Sequence, residues 1–267
     1  MDLNDRQRRE KEFWDKQAAV DMHADWEEKP YERWKSVRPV RQTALDWLGP
    51  IAGKKILMCG VGAEAAIFAR AGAEVYGFDI SETQILAVEA LARRLKLEDR
   101  IKVSAMPFED LKYPDSYFDV VFGHAILHHI DLAQGAAELN RVLKPGGRAT
   151  FIEPLGMNPL LQFARRHLPY RGKGRTEDEQ PLTYRDIESF IKHFADARYQ
   201  EFSLLSMIRR RVTKTQAIVG FLQRCDRVLL ERFPALRPLC REVWVGVGTA
   251  RVRSSSTAGS LSQIPST

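Results

Sequence analysis

The segment "ILMCGVGAEAAIFARAGAEVYGFDIS", Ile56 to Ser81, decides the reading of this chain. An apolar run meets Gly60, an alanine-rich helical stretch follows, and a second apolar run ends at Asp79. This is a strand, a glycine turn, a helix and a second strand closed by an acid, the opening of a βαβ unit. Gly60, Gly62 and Ala65 satisfy G-x-G-x-x-A, and Asp79 lies about twenty residues on, as a nicotinamide-dinucleotide fingerprint requires. The physical demand is broader than one cofactor. Glycines let backbone approach a ligand, and an acid ending a strand accepts hydrogen bonds from two ribose hydroxyls, so adenosine-bearing cofactors of several kinds fit.

Outward from this segment, short apolar runs alternate with amphipathic helices, and strands are expected at 55–59, 74–79, 101–105, 118–123, 148–153, 200–207 and 242–251. Ser81 followed by Gln84 reads as a capping box, with Ile85, Val88, Ala92 and Leu95 on one face of the helix it opens. "KPGG", Lys144 to Gly147, is expected to end a helix and turn the chain into the fifth strand. Residues 1–45, polar but with Phe13, Trp14, Trp26, Tyr31 and Trp34 interleaved, read as a helical lid ahead of a main domain at 46–253. Within that domain, 154–185 reads as a cap insertion and 212–240 as a helical segment; 254–267 is a low-complexity tail.

Composition narrows the class. A chain of 267 residues with 44% hydrophobic and 28% charged residues suits one large α/β domain. Nothing approaches a membrane span, and the charged start lacks the apolar core of a signal peptide, so a cytoplasmic protein is expected. Cys59, Cys225 and Cys240 have neither metal nor redox spacing, so no metal site is expected. A net charge of +6 permits attraction to anionic partners without naming one.

Two further segments carry a resemblance. "MPFEDLKYPDSYFDVVFGHAILHHI", Met106 to Ile130, and "ELNRVLKPGGRATFIEP", Glu138 to Pro154, are similar in order and spacing to class I S-adenosylmethionine-dependent methyltransferases. In that family a "DxxFDVVxxxxxLHHI" segment spans strand four and "RVLKPGG" introduces strand five. The resemblance covers about 55–153, more loosely 186–251, and is nearest the small-molecule branch. It implies a Rossmann-like seven-stranded α/β sheet with an antiparallel last strand, S-adenosylmethionine as cofactor and S-adenosylhomocysteine as product. It also implies that Gly60, Gly62 and Asp79 hold the cofactor, Ile80 and Phe108 flank adenine, and Gly123 and His124 border the methionine part. The chain departs from the pattern at Met58, where the family has an acid, at Glu64, in place of a third glycine, and at Met106-Pro107-Phe108, in place of "GDA". Glu109 or Asp110 then stands in as the adenine acid.

Methyl transfer is an in-line displacement, so a base is needed only where the acceptor loses a proton. His124, His128 and Glu153 are the candidates; His128 and His129, being adjacent, should not both reach the pocket, and Glu153 has a cap arginine as its alternative partner. Ile218, Phe221, Leu222, Cys225, Val228 and Leu229 form an apolar helical stripe after Arg209 to Arg211, either core packing or a roof over a greasy acceptor, with room for peripheral membrane contact. The acceptor expected is a small hydrophobic molecule bearing a polar or anionic head, not nucleic acid. The alternatives are an NAD-dependent oxidoreductase, a nucleic-acid methyltransferase, and a methyltransferase-like protein that binds without turnover.

Overall fold

The computed structural model describes residues 3–21, 38–167, 180–208 and 216–250. Its centre is a seven-stranded sheet of order β3-β2-β1-β4-β5-β7-β6. The strands are β1 (Lys55–Cys59), β2 (Glu74–Asp79), β3 (Ile101–Ala105), β4 (Phe118–His124), β5 (Leu143–Pro154), β6 (Asp196–Phe202) and β7 (Glu242–Gly248). The first five run parallel, and β7 is antiparallel to both β5 and β6. This is the sheet that the resemblance implies.

Parallel strands are covered on both faces, which is why β1 and β4 carry the continuous buried runs Ile56–Cys59 and Val120–Gly123 rather than alternating. Ile56 and Met58 enter one core with Val75, Phe68, Ile152 and Trp244, while Leu57 and Cys59 enter the opposite core with Phe78, Val121 and Phe151. The departure at Met58 therefore has a packing consequence: a buried thioether stands where an acid would have pointed toward the glycine turn.

Helices α1 (Asp5–Asp21), α2 (Pro39–Leu48), α3 (Glu64–Arg70), α4 (Glu82–Leu95), α5 (Leu132–Val142), α6 (Pro159–His167), α7 (Tyr184–Ile191) and α8 (Gln216–Arg232) surround it. The lid boundary at 45 falls inside α2 and is corrected. Val40, Ala44, Leu45 and Leu48 of α2 are core residues, and Trp47 stacks edge-on with Trp244 at 5.7 Å while donating from Nε1 to the Val247 carbonyl. α1 packs against α4.

Three expected boundaries shift. "KPGG" lies within β5, where Leu143 already pairs with Phe118 and the next pairing is Arg148 with Val120; Gly146 at φ 74° takes up the extra residues as a bulge. β6 ends at Phe202 because Ser203 turns at φ 65°, and the Asp226 carboxylate of α8 then accepts from the backbone N–H groups of Leu205 and Ser206. Ser81 caps α4 by accepting from the Gln84 N–H, but the reciprocal half of the capping box is absent: the Ser81 N–H donates to Asp79 Oδ1, and the Gln84 amide donates to the Val61 carbonyl.

The cap insertion is pinned at its ends, Leu155 bridging to Leu182, with α6 between them exposing Leu160 and Phe163. The apolar stripe of α8 divides. Leu229 packs on the core, whereas Ile218, Phe221 and Val228 are exposed. Trp26, Tyr31, Trp34, Arg171, Lys173, Arg175, Arg209 to Arg211 and the tail lie outside the described residues.

Candidate functional site

Parallel α/β sheets gather their loops at the carboxyl edge, and a cavity of about 270 Å³ lies there over β1, β2 and β4. Gly60 at φ 68° makes the turn after β1, its N–H and that of Val61 donating to the Phe78 carbonyl, so the glycine turn is tied to the end of β2. Glu64 begins α3 and folds its carboxylate back toward the turn, with Oε2 3.0 Å from where a side chain on Gly62 would begin.

Of the residues expected to hold the cofactor, Gly60, Gly62, Asp79, Ile80, Phe108, Glu109 and His124 line this cavity. Gly123 does not. A side chain there would collide with Phe151 and Ile126, so that glycine exists for packing beneath the site rather than for contact within it. Glu109 is engaged by other donors: Arg6 and Gln7 of α1 and the Asp131 N–H all bind its carboxylate, so it anchors α1 to the rim. Asp110 is also engaged, exposed and paired with Lys112. Asp79 contrasts with both. Burial pushes its carboxyl up to about 7, and it makes no ion pair among the described residues. A carboxylate held in this way gains from any hydroxyl donor that enters the cavity.

The three candidate bases separate. Glu153 is 1% exposed; Oε1 accepts from the N–H groups of Ile126 and Leu127, and Oε2 lies 2.6 Å from His128 Nδ1. Burial works against its charge, but His128 and the two backbone donors hold its pKa below the ordinary carboxylate value. Neither Glu153 nor the buried His128 lines the cavity, and Glu153 pairs with no cap arginine among the described residues; together they brace the loop after β4. His124 does line the cavity. Crowding by surrounding protein lowers its pKa, opposed by Glu64 and reinforced by Arg38, so the imidazole is neutral at pH 7 and able to accept a proton.

The rest of the wall comes from α1, which contributes Arg6, Gln7, Glu10, Trp14, Gln17 and Ala18. Glu10 binds His129 Nδ1 at 3.0 Å and Trp14 Nε1 at 3.1 Å, and Trp14 meets the His129 ring edge-on. His129 reaches the cavity while His128, its ring 4.1 Å away, stays behind it. Asp15 accepts from Ser81 Oγ and the Thr83 N–H, capping α4 from outside. Sequence reasoning expected a helical lid here but did not single out Arg6, Gln7, Glu10 or Asp15, because the α1 face is polar and hydrophobic periodicity has no purchase on it. Among the described residues no helix is long and apolar enough to cross a membrane, and no side-chain cluster could hold a metal ion.

Comparison with known proteins agrees with this geometry. Residues 57–151 match the family described as a methyltransferase domain. An S-adenosyl-L-methionine-dependent Diels-Alderase of Talaromyces variabilis is 36% identical over 129 residues, 46% of this chain and 44% of that protein. A demethylmenaquinone methyltransferase of Clavibacter sepedonicus is 36% identical over 109 residues, 40% of this chain and 43% of that one, so the chain spans less than half the length of these curated relatives. In fold, the geranyl diphosphate C-methyltransferase of Streptomyces coelicolor superposes with a TM-score of 0.58 at 16% identity, covering 93% of this chain and 99% of that one. Residues 57–151 thus match the methyltransferase-domain family, and the strand order and the glycine turn tied to β2 agree with that match.

Proposed function

We propose that the protein transfers a methyl group from S-adenosylmethionine to a small, hydrophobic organic acceptor. The observation that carries this reading is the cavity over β1, β2 and β4, in which the glycine turn, Asp79 and His124 converge under α1. S-adenosylmethionine, when bound, supplies an electrophilic methyl on a sulfonium. The chain's own residues do the rest. Gly60 and Gly62 give it close backbone, Asp79 accepts from the ribose diol, and Ile80 and Phe108 flank the base. The α1 wall excludes water, so that placement of the acceptor accounts for most of the rate. Where the acceptor loses a proton, His124 Nδ1 or Nε2 receives it; the neutral imidazole is the form required. His128 and Glu153 act as positioning residues by fixing residues 126–128.

The named relatives act on or with small molecules, a quinone precursor among them, which supports a lipophilic acceptor. The methyltransferase-domain match over 57–151 favours S-adenosylmethionine over the nicotinamide reading of the glycine turn. One relative is named a Diels-Alderase that depends on S-adenosylmethionine, so product analysis has to show methyl transfer as well as binding.

The test is calorimetry with S-adenosylhomocysteine. Asp79→Ala should weaken binding by about 1.5–3 kcal/mol, the scale of hydrogen bonds to a charged group. Wild-type affinity should also rise as pH climbs through about 7, because the carboxylate is the form that accepts from the diol. Unchanged affinity in Asp79→Ala, with no pH dependence in the wild type, would remove the ribose assignment.

A further inference from the structure

A second concavity, a cleft of about 760 Å³, lies at the same carboxyl edge on the β6 side, between the N-terminus of α2 and α8. Its position follows from register: Pro154, Glu242 and Phe202 stand abreast at the ends of β5, β7 and β6. The cofactor cavity and this cleft approach one another at Arg38, which lines the cleft and acts electrostatically on His124.

The polar groups of the cleft are unevenly satisfied. Three of its four carboxylates have donors: Glu242 takes Arg38 and the Ser203 hydroxyl, Asp226 takes two backbone N–H groups and the Ser206 hydroxyl, and Glu201 takes the Tyr184 hydroxyl, while the exposed Glu231 of α8 makes no ion pair among the described residues. The guanidinium groups are less well served. Arg224 and Arg227 of α8 and Arg237 just beyond it line the cleft without an ion pair among the described residues. Arg38 is 11% exposed, and its Nε is buried with no hydrogen-bond partner. A buried N–H left in that state is destabilising, more so on a charged group, and an entering acceptor atom would recover that cost. Arg38 is also the N-cap of α2, in extended conformation and with no side chain capping the helix, so the positive end of the helix dipole opens on the same space.

We infer that this cleft is a binding site for a multiply charged oxyanion of phosphate type, carried on the acceptor at the end remote from the methylated atom. Four guanidinium groups and a helix N-terminus suit tetrahedral oxygens from several directions, whereas a single carboxylate would leave most of them unused. Val40, Phe202 and Leu230 on the cleft wall accommodate the apolar stem of such a molecule. The identity of the bearer rests on the methyl-transfer reading; the anion site itself does not.

Titration calorimetry on the full chain, with and without S-adenosylhomocysteine, tests it using inorganic pyrophosphate, with acetate as the monovalent comparison. Pyrophosphate should bind and acetate should not, and pyrophosphate affinity should fall with added salt. The exposed pair R224Q/R227Q should weaken pyrophosphate at least about tenfold, as should R38Q, while S-adenosylhomocysteine affinity stays at the wild-type value. Absence of pyrophosphate binding, or wild-type binding in R224Q/R227Q, would overturn the anion site even if R38Q failed to fold. Pyrophosphate binding in a protein that ignores S-adenosylhomocysteine would keep the anion site and defeat the methyl-transfer reading instead.

Discussion

On the β1–β2 side, the carboxyl edge of the sheet is closed: α1 lies across it, held by Arg6 and Gln7 on Glu109, Glu10 on His129 and Asp15 on Ser81 and Thr83. On the β6 side the same edge stays open between α2 and α8, and the carboxylates there hold loops and strand ends while guanidinium groups face the gap. The closed side uses its acids to fasten a wall, which leaves Asp79 as the acid without a fastening partner. The open side uses Glu201, Asp226 and Glu242 internally and leaves Arg224, Arg227 and Arg237 without ion pairs among the described residues. On the readings proposed above, the closed side encloses the cationic adenosine sulfonium and the open side admits an anion from solvent.

The largest effect is expected at the seam between them. Glu153 holds residues 126–128 from behind, directly after His124, and its removal leaves two backbone N–H groups and a buried imidazole without their acceptor. Glu153→Ala should lose about 3–5 kcal/mol in urea unfolding, the scale for breaking a buried pair from one side. Because the folded-state pKa of Glu153 is depressed, its stabilisation is present above the ordinary carboxylate value and disappears as pH falls through the lowered one. The gap between Glu153→Gln and wild type should therefore narrow below about pH 4. A Glu153→Ala protein of wild-type stability would mean that the two sides are not joined at this point.

Removing α1 comes next. Deletion of residues 1–21 spares α2, which the sheet needs for its core, and should weaken S-adenosylhomocysteine by about ten- to a hundredfold through loss of the covering wall. Pyrophosphate affinity should not change, since no α1 residue lines the cleft. Equal losses in both ligands would show that the closed and open sides are one site. The truncated protein should keep its far-ultraviolet circular dichroism apart from the missing helix.

The contrast also explains what the sequence revealed. Ile56 to Pro154 was legible almost residue by residue because strands β1, β2, β3 and β4 announce themselves as apolar runs, and a glycine at φ 68° and an acid ending β2 are chemistry that local sequence must encode. The wall was legible as a helical lid, but its fastenings were not. Gln7 and Glu10 are buried polar residues whose partners, Glu109 and His129, lie about a hundred residues away, and no local pattern signals a pairing of that range. Gly123 was expected beside the methionine part because the resemblance implies it, whereas Phe151 on the neighbouring strand needs the space. His128 was read as a base for its position in "LHH", but the 3₁₀ turn at Leu127–His129 turns that ring inward to Glu153 and leaves His129 at the cavity.

The smallest effect tests whether the closed side is fastened locally. Ser81 Oγ accepts from the Gln84 N–H, capping α4, and donates to Asp15 at 2.6 Å, holding α1. Ser81→Ala removes both bonds, so it should lower stability by about 1 kcal/mol as a lost cap and loosen α1 as well. Asp15→Ala removes the contact to α1 and leaves the cap intact, apart from the Thr83 N–H that Asp15 also satisfies. If the fastening is local, Asp15→Ala should weaken S-adenosylhomocysteine by a few-fold with little change in the urea midpoint, while Ser81→Ala changes both. In the double mutant the two losses in affinity should fall short of their sum, since each removes the same hydrogen bond, while the losses in stability add. Additive affinity losses would mean that Ser81→Ala acts on the ribose acid independently of α1, the lost cap shifting the backbone N–H at position 81 that donates to Asp79.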